Sequence, residues 1–109
     1  MIRFILFSFF VLTSLVAQEV EIPRTAYQDI YKYYVLEVSK KANTQEITYR
    51  RQSHDAILFG KSEINCQQHA IRLLGTGASS KTISSTPSQW FRPPIRAVES
   101  DMINFVCHQ

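Results

Sequence analysis

Cysteine is scarce in this chain of 109 residues, with one in "EINCQQHAI", Cys66, and one near the end in "FVCHQ", Cys107. A structural zinc site needs four converging ligands. Cys66, His69, Cys107 and His108 would have to supply them, with His54 the one remaining histidine. Excess charge is scarce too, at +3 overall, which is too little to argue for a nucleic-acid partner. Catalytic signatures are missing. There is no G-x-S-x-G and no H-E-x-x-H, and the carboxylates are scattered, with no spacing that suggests acid-base work. Ser53, His54 and Asp55 hold the residue types of a nucleophilic triad, but adjacent residues cannot converge on one bond. The "GTG" at 75–77 lacks the strand-loop-helix context and the lysine of a phosphate-binding loop. No enzyme activity, cofactor or metal is expected.

The longest apolar run, Phe4 to Val16, falls short of the roughly 20 residues that span a bilayer. Preceded by Met1 to Arg3 and followed by the small Ala17 and the polar "QEVE", it has the layout of a secretory signal peptide over residues 1–17. No cysteine follows it for lipid attachment. The expected mature protein, residues 18–109, is exported, periplasmic or extracellular, and without a lipid or membrane anchor. Removing seventeen residues leaves 92, one small domain, which is marginal on its own core. On a strand, Cys66 and His69 point to opposite faces, and the neighbours Cys107 and His108 diverge as well. In an oxidising compartment this favours a Cys66–Cys107 disulfide over a metal site. Closing a loop of about 40 residues stabilises by about 4 kcal/mol in the loop-entropy picture.

The spacing of apolar residues predicts strands first and a helix last. Residues 30–39 read as a strand, with Ile30, Tyr34, Leu36 and Val38 on one face and Tyr31, Tyr33 and Val35 on the other. "SKKANT" is a turn, and "QEITYRRQ" alternates with Ile47 and Tyr49 on one side, which predicts an antiparallel hairpin. "AILF" ends in a turn at Gly60, Lys61 and Ser62. A strand then runs from Glu63, continues through "AIRLL" with a change of phase, and has a bulge at "QQH". Residues 75–89 are predicted as loop around one short edge strand near Thr82 and Ile83. After "WFRPP", the residues Ile95, Val98, Met102, Phe105 and Val106 form one helical stripe. Ile103 and Cys107 flank it, with Ser100, Asp101 and Asn104 opposite. The fold class is α+β, an antiparallel sheet with a C-terminal helix clamped onto one face by the disulfide.

Two surface features stand out. Lys40 and Lys41 lie at the predicted turn and Arg50 and Arg51 on the adjoining strand, a candidate binding site for an acidic protein or polysaccharide. Tyr31, Tyr33 and Val35 would be an exposed aromatic face and a candidate homodimer surface, unless the segment "EVEIPRTAY" folds across them.

The "INC" strand with Ile64 and Cys66, then Trp90 with Pro93 and Pro94, then Met102, Phe105, Val106 and Cys107, together resemble the surface-adhesin protein E domain family of Gram-negative bacteria. The likeness covers roughly the second half of the mature chain. It implies an antiparallel sheet closed on its concave face by a C-terminal helix, with Cys66 and Cys107 as the tether. It also implies binding of host matrix proteins and plasminogen, as named members do at the cell surface. The expected function is thus an exported, non-enzymatic, adhesin-like binding module; the alternative is a periplasmic structural or inhibitor-like protein.

Overall fold

A computed structural model describes residues 19–25 and 30–108. The predicted leader, residues 1–17, lies outside the described residues. Among those described, five strands form one antiparallel sheet in sequence order: β1 Val20–Glu21, β2 Lys32–Lys40, β3 Gln45–Gln52, β4 Ile57–Asn65 and β5 Ala70–Gly77. One helix follows, α1 Val98–Cys107. The protein is mostly sheet, so the mixed class describes it only loosely. No helix among the described residues is long and apolar enough to cross a membrane.

The core lies between one sheet face and α1. It joins Ile22, Tyr33, Val35, Ile47, Tyr49, Ile64 and Ile71 to Met102, Ile103 and Val106 of the helix. Fully burying an isoleucine contributes about 1.5–3 kcal/mol, and Ile47, Ile64 and Ile71 are completely covered. A bulge in β2 at Leu36 places Val35 opposite Tyr49 but Glu37 opposite Thr48. The extra residue changes the phase of the alternation, so Val38 packs on the same core as Tyr33 and Val35. A strict period of two puts Val38 on the other face.

This overturns the candidate dimer surface. Tyr33 and Val35 are 8% and 6% exposed beneath the helix, and Tyr31 packs against the same cluster. The N-terminal segment helps to cover them. Ile22 is buried, and the Arg24 guanidinium lies 5.4 Å from the centre of the Tyr33 ring.

Gly60, Lys61 and Ser62 do not turn; β4 runs straight through them. The reversal comes after Asn65, where residues 66–69 join β4 to β5 as a hairpin. His69 adopts a left-handed φ of 52° there, and the Asn65 side chain accepts the Gln68 N–H at 3.1 Å. The turn carries no glycine or proline, which is why "QQH" reads as a bulge from sequence. Cys66 therefore sits just past β4 rather than on a strand, bonded to Cys107 in the last turn of α1 with Cα atoms 5.7 Å apart.

No strand forms at Thr82 and Ile83. Instead residues 84–91 lie irregularly along β5. Ser84, Thr86 and Ser88 donate N–H groups to it, and Phe91 pairs with Ile71. Gly75 and Gly77 make this approach possible, since a Cβ on either would fall 1.5 Å from Ser84 O or 2.3 Å from Thr82 O. The returning chain thereby covers what would be an open edge.

The helix begins later than its apolar stripe suggests. The turn Pro94–Ala97 closes through an Ala97 N–H to Pro94 O bond of 3.1 Å, with Arg96 at φ 82°, so Ile95 is left 83% exposed outside α1. Ser100 and Asp101, expected on the solvent side, are buried. The Asp101 carboxylate accepts hydrogen bonds from Arg24 Nε at 2.7 Å, Thr25 N–H at 3.0 Å and Thr25 Oγ1 at 2.9 Å.

Candidate functional site

A helix of ten residues is about 15 Å long, whereas strands of eight or nine extend for about 26–30 Å. The disulfide fixes the C-terminus of α1 at the β4–β5 turn, so the helix cannot reach the other end of the sheet. What it leaves uncovered is a cleft of about 180 Å3. Tyr33 of β2, Tyr49 and Arg51 of β3, Leu58 of β4 and Leu73 and Thr76 of β5 form its floor, while Val98, Glu99 and Met102 of the first helical turns form its roof.

Tyr49 sets the floor. The phenol end of its ring occupies the space beside Gly60, where a Cβ would come within 2.3 Å of the ring carbon Cζ, and it packs against Tyr33 with centroids 6.1 Å apart. Burial pushes its phenol pKa up. The neighbouring Tyr33 and Glu99 add to this, while Ser62 and Arg51 oppose it. The fully buried Ser62 hydroxyl is thus close to the phenol, although it makes no well-aligned hydrogen bond. Arg51 lies over the Tyr31 ring at 4.5 Å. Neither Arg51 nor Glu99 has an ion-pair partner among the described residues, yet both act on Tyr49, from opposite signs. The cleft therefore presents a guanidinium donor, a carboxylate acceptor and the Thr76 hydroxyl between apolar walls, over two largely buried tyrosines. Ligand pockets in general pair apolar walls with a few placed polar groups in this way.

The four candidate basic residues do not assemble. The β2–β3 turn occupies residues 41–44, and β3 carries Arg50 and Arg51 away from it. Lys41 is 3.6 Å from Glu46 at the turn end. Arg50 sits on the outer face, over Tyr34 at 4.4 Å and ion-paired with Glu19. As its strand neighbour, Arg51 points the opposite way, into the cleft. Lys40 and Lys41 stay together in a hollow at the β2–β3 turn, while Arg50 and Arg51 sit farther along β3 on opposite faces, so the four do not form one patch.

The outer face is largely self-neutralised. Glu46 faces Lys41 and Lys61, and Glu63 pairs with Arg72 at 2.8 Å. Burial alone raises the Glu63 carboxyl, but hydrogen bonds from Thr44 and Arg72 and the charges of Arg72 and Lys41 outweigh it. They hold it below the usual range.

The metal alternative for "CQQH" loses its ligands, because both sulfurs are joined. Among the described residues no three histidine, cysteine, aspartate or glutamate side chains gather around a common point. Ser53, His54 and Asp55 form the β3–β4 turn, where Ser53 Oγ donates to Ala56 O at 3.3 Å. Sequence alternation already turns Tyr49 inward with Ile47. Glu99, Leu58, Leu73 and Thr76 carried no such signal, because they meet only once the sheet and helix are assembled. No protein family, curated protein or solved structure matches the chain.

Proposed function

We propose that this chain is an exported, non-enzymatic α+β binding module whose cleft between sheet and helix receives part of a macromolecular partner, protein or polysaccharide. The observation that carries this reading is the cleft itself. It holds the Arg51 guanidinium and the Glu99 carboxylate, neither ion-paired among the described residues, beside two tyrosines, on a scaffold tied by a disulfide and a buried aspartate clamp. Binding groups held on rigid elements lose little freedom when a ligand arrives. A disulfide suits an oxidising compartment, in keeping with the leader-like residues 1–17. The resemblance to the surface-adhesin protein E family adds host matrix proteins and plasminogen as the partners to try first. The second reading is a structural or inhibitor-like periplasmic protein with no extracellular ligand.

Thr76 is exposed at the rim of the cleft, so Thr76→Trp fills it from outside the core. Capture on immobilised matrix proteins, plasminogen and envelope glycan, measured by surface plasmon resonance, is expected to weaken at least tenfold, about 1.4 kcal/mol. Unchanged capture with an unchanged unfolding midpoint would remove the cleft from the binding site. Protease shaving of intact cells separates the two locations, since only a surface protein is cut.

A further inference from the structure

We infer that Cys66 is a thiol-exchange site, open to a small thiol that carries carboxylates, through which the Cys66–Cys107 tether is opened and closed. A hollow of about 260 Å3 lies between the β2–β3 turn and the end of β4. Lys40, Lys41, Gln45 and Gln67 line it, and Cys66 stands in its wall while Cys107 does not. Gln45 donates a side-chain N–H to Cys66 Sγ at 3.6 Å, which places the sulfur itself at the hollow. Disulfides exchange by attack of a thiolate on one of the two sulfurs, and access decides which. A thiolate coming through the hollow meets half-buried Cys66 first, with Cys107 as the leaving group.

Charge selects the kind of thiol. No acidic side chain lines the hollow. Lys40 has no ion-pair partner among the described residues, and Lys41 reaches Glu46 only at 3.6 Å, with its own side chain 52% exposed. Glu63, which touches the turn through Thr44, is taken up by that hydroxyl at 2.7 Å and by Arg72 at 2.8 Å. Partly open, electropositive surroundings of this kind are those in which cysteine sulfur reacts. A carboxylate on the incoming molecule adds to the attraction of its thiolate, and an ammonium group opposes it. The step balances. The thiolate bonds to Cys66 Sγ, the Cys66–Cys107 bond breaks, and its electron pair leaves on Cys107, which takes a proton from water. The incoming sulfur is oxidised as Cys107 is reduced. Attack by Cys107 on the mixed disulfide expels the thiol and closes the tether again. Opening frees the last turn of α1, while the Arg24–Asp101 contact keeps its start seated. The cleft lies under the other end of α1, so this site stands or falls apart from the binding reading.

The test starts from the oxidised, folded mature chain. Initial opening rates are measured with mercaptoacetate, mercaptoethanol and cysteamine at equal thiolate concentration, by acid quench and mass spectrometry. Each rate is normalised to that of the same thiol on a small neutral disulfide. At about 20 mM salt the anionic thiol is expected to open the tether roughly tenfold faster than the cationic one. Raising the salt to about 0.5 M, or combining Lys40→Gln with Lys41→Gln, should remove that preference. Both lysines are exposed, so the unfolding midpoint of the double variant stays put. Peptide mapping of the quenched mixture is expected to find the mixed disulfide on Cys66. An adduct on Cys107, equal normalised rates for the three thiols, or a preference that survives the loss of both lysines would each overturn the assignment.

Discussion

At Gly60 a missing methyl group decides how Tyr49 lies. The phenol oxygen and the ring carbon Cζ would stand 2.4 Å and 2.3 Å from a Cβ at that position, closer than any unstrained contact, so a side chain there must lift the ring. Tyr49 is 7% exposed and held against Tyr33, which leaves it little room to move. Gly60→Ala is expected to destabilise the fold by about 1–3 kcal/mol, the usual cost of overpacking, measured by urea unfolding. It should also displace the Tyr33 and Tyr49 ring signals in the NMR spectrum. An alanine variant as stable as the parent would mean that the ring is free to rotate away. From sequence, Gly60 followed by Lys61 and Ser62 reads as a turn, because glycine marks both turns and close approaches. Only the partner strand distinguishes them, and Tyr49, eleven positions away, is the residue that makes this one a close approach.

Among the elements, α1 shows most clearly what local pattern can and cannot carry. Its apolar spacing is legible, and Met102, Ile103 and Val106 do face the core. Asp101 is not legible, because its partners Arg24 and Thr25 are 77 and 76 positions away and no periodicity links them. The ion pair is covered, with side chains 12% and 2% exposed for Arg24 and Asp101, so solvent screens it far less than a surface pair. Asp101→Asn keeps the shape but leaves the Arg24 guanidinium facing a neutral group. Breaking a buried pair from one side costs about 3–5 kcal/mol; the amide oxygen retains part of the bonding, so a loss of about 2–4 kcal/mol is expected in chemical denaturation. Hydrogen exchange should quicken first in residues 98–102, the half of the helix that this contact holds. A loss below about 0.5 kcal/mol, the scale of an exposed pair, would show that the carboxylate is solvated in practice. The β2 bulge was hidden for a similar reason. Leu36 is an ordinary strand residue, and only its register against β3 reveals that it is extra.

Across the whole molecule, the strand-first order, the β2–β3 hairpin and the Cys66–Cys107 bond follow from the sequence, since each rests on composition or alternation within a short stretch. The cleft does not, because it arises from a mismatch between the length of one helix and the length of the strands beneath it. Two tethers hold that mismatch in place, the disulfide at the end of α1 and the Asp101 clamp at its start. They act on different states. The disulfide restricts the unfolded chain by closing a loop with a sequence separation of 41, about 4 kcal/mol in the loop-entropy picture, whereas the clamp acts only in the folded protein. Replacing both cysteines by alanine should therefore lower the unfolding free energy by about 2–4 kcal/mol, a large share of the 5–15 kcal/mol typical of a domain. Under native conditions the clamp still seats the first turns of α1, so rapid hydrogen exchange should be confined to the last turn, residues 104–107, and the cleft should keep its shape. Loss of protection along the whole helix would instead show that the covalent tether alone positions the roof of the cleft, and reduction would then abolish ligand capture together with the fold.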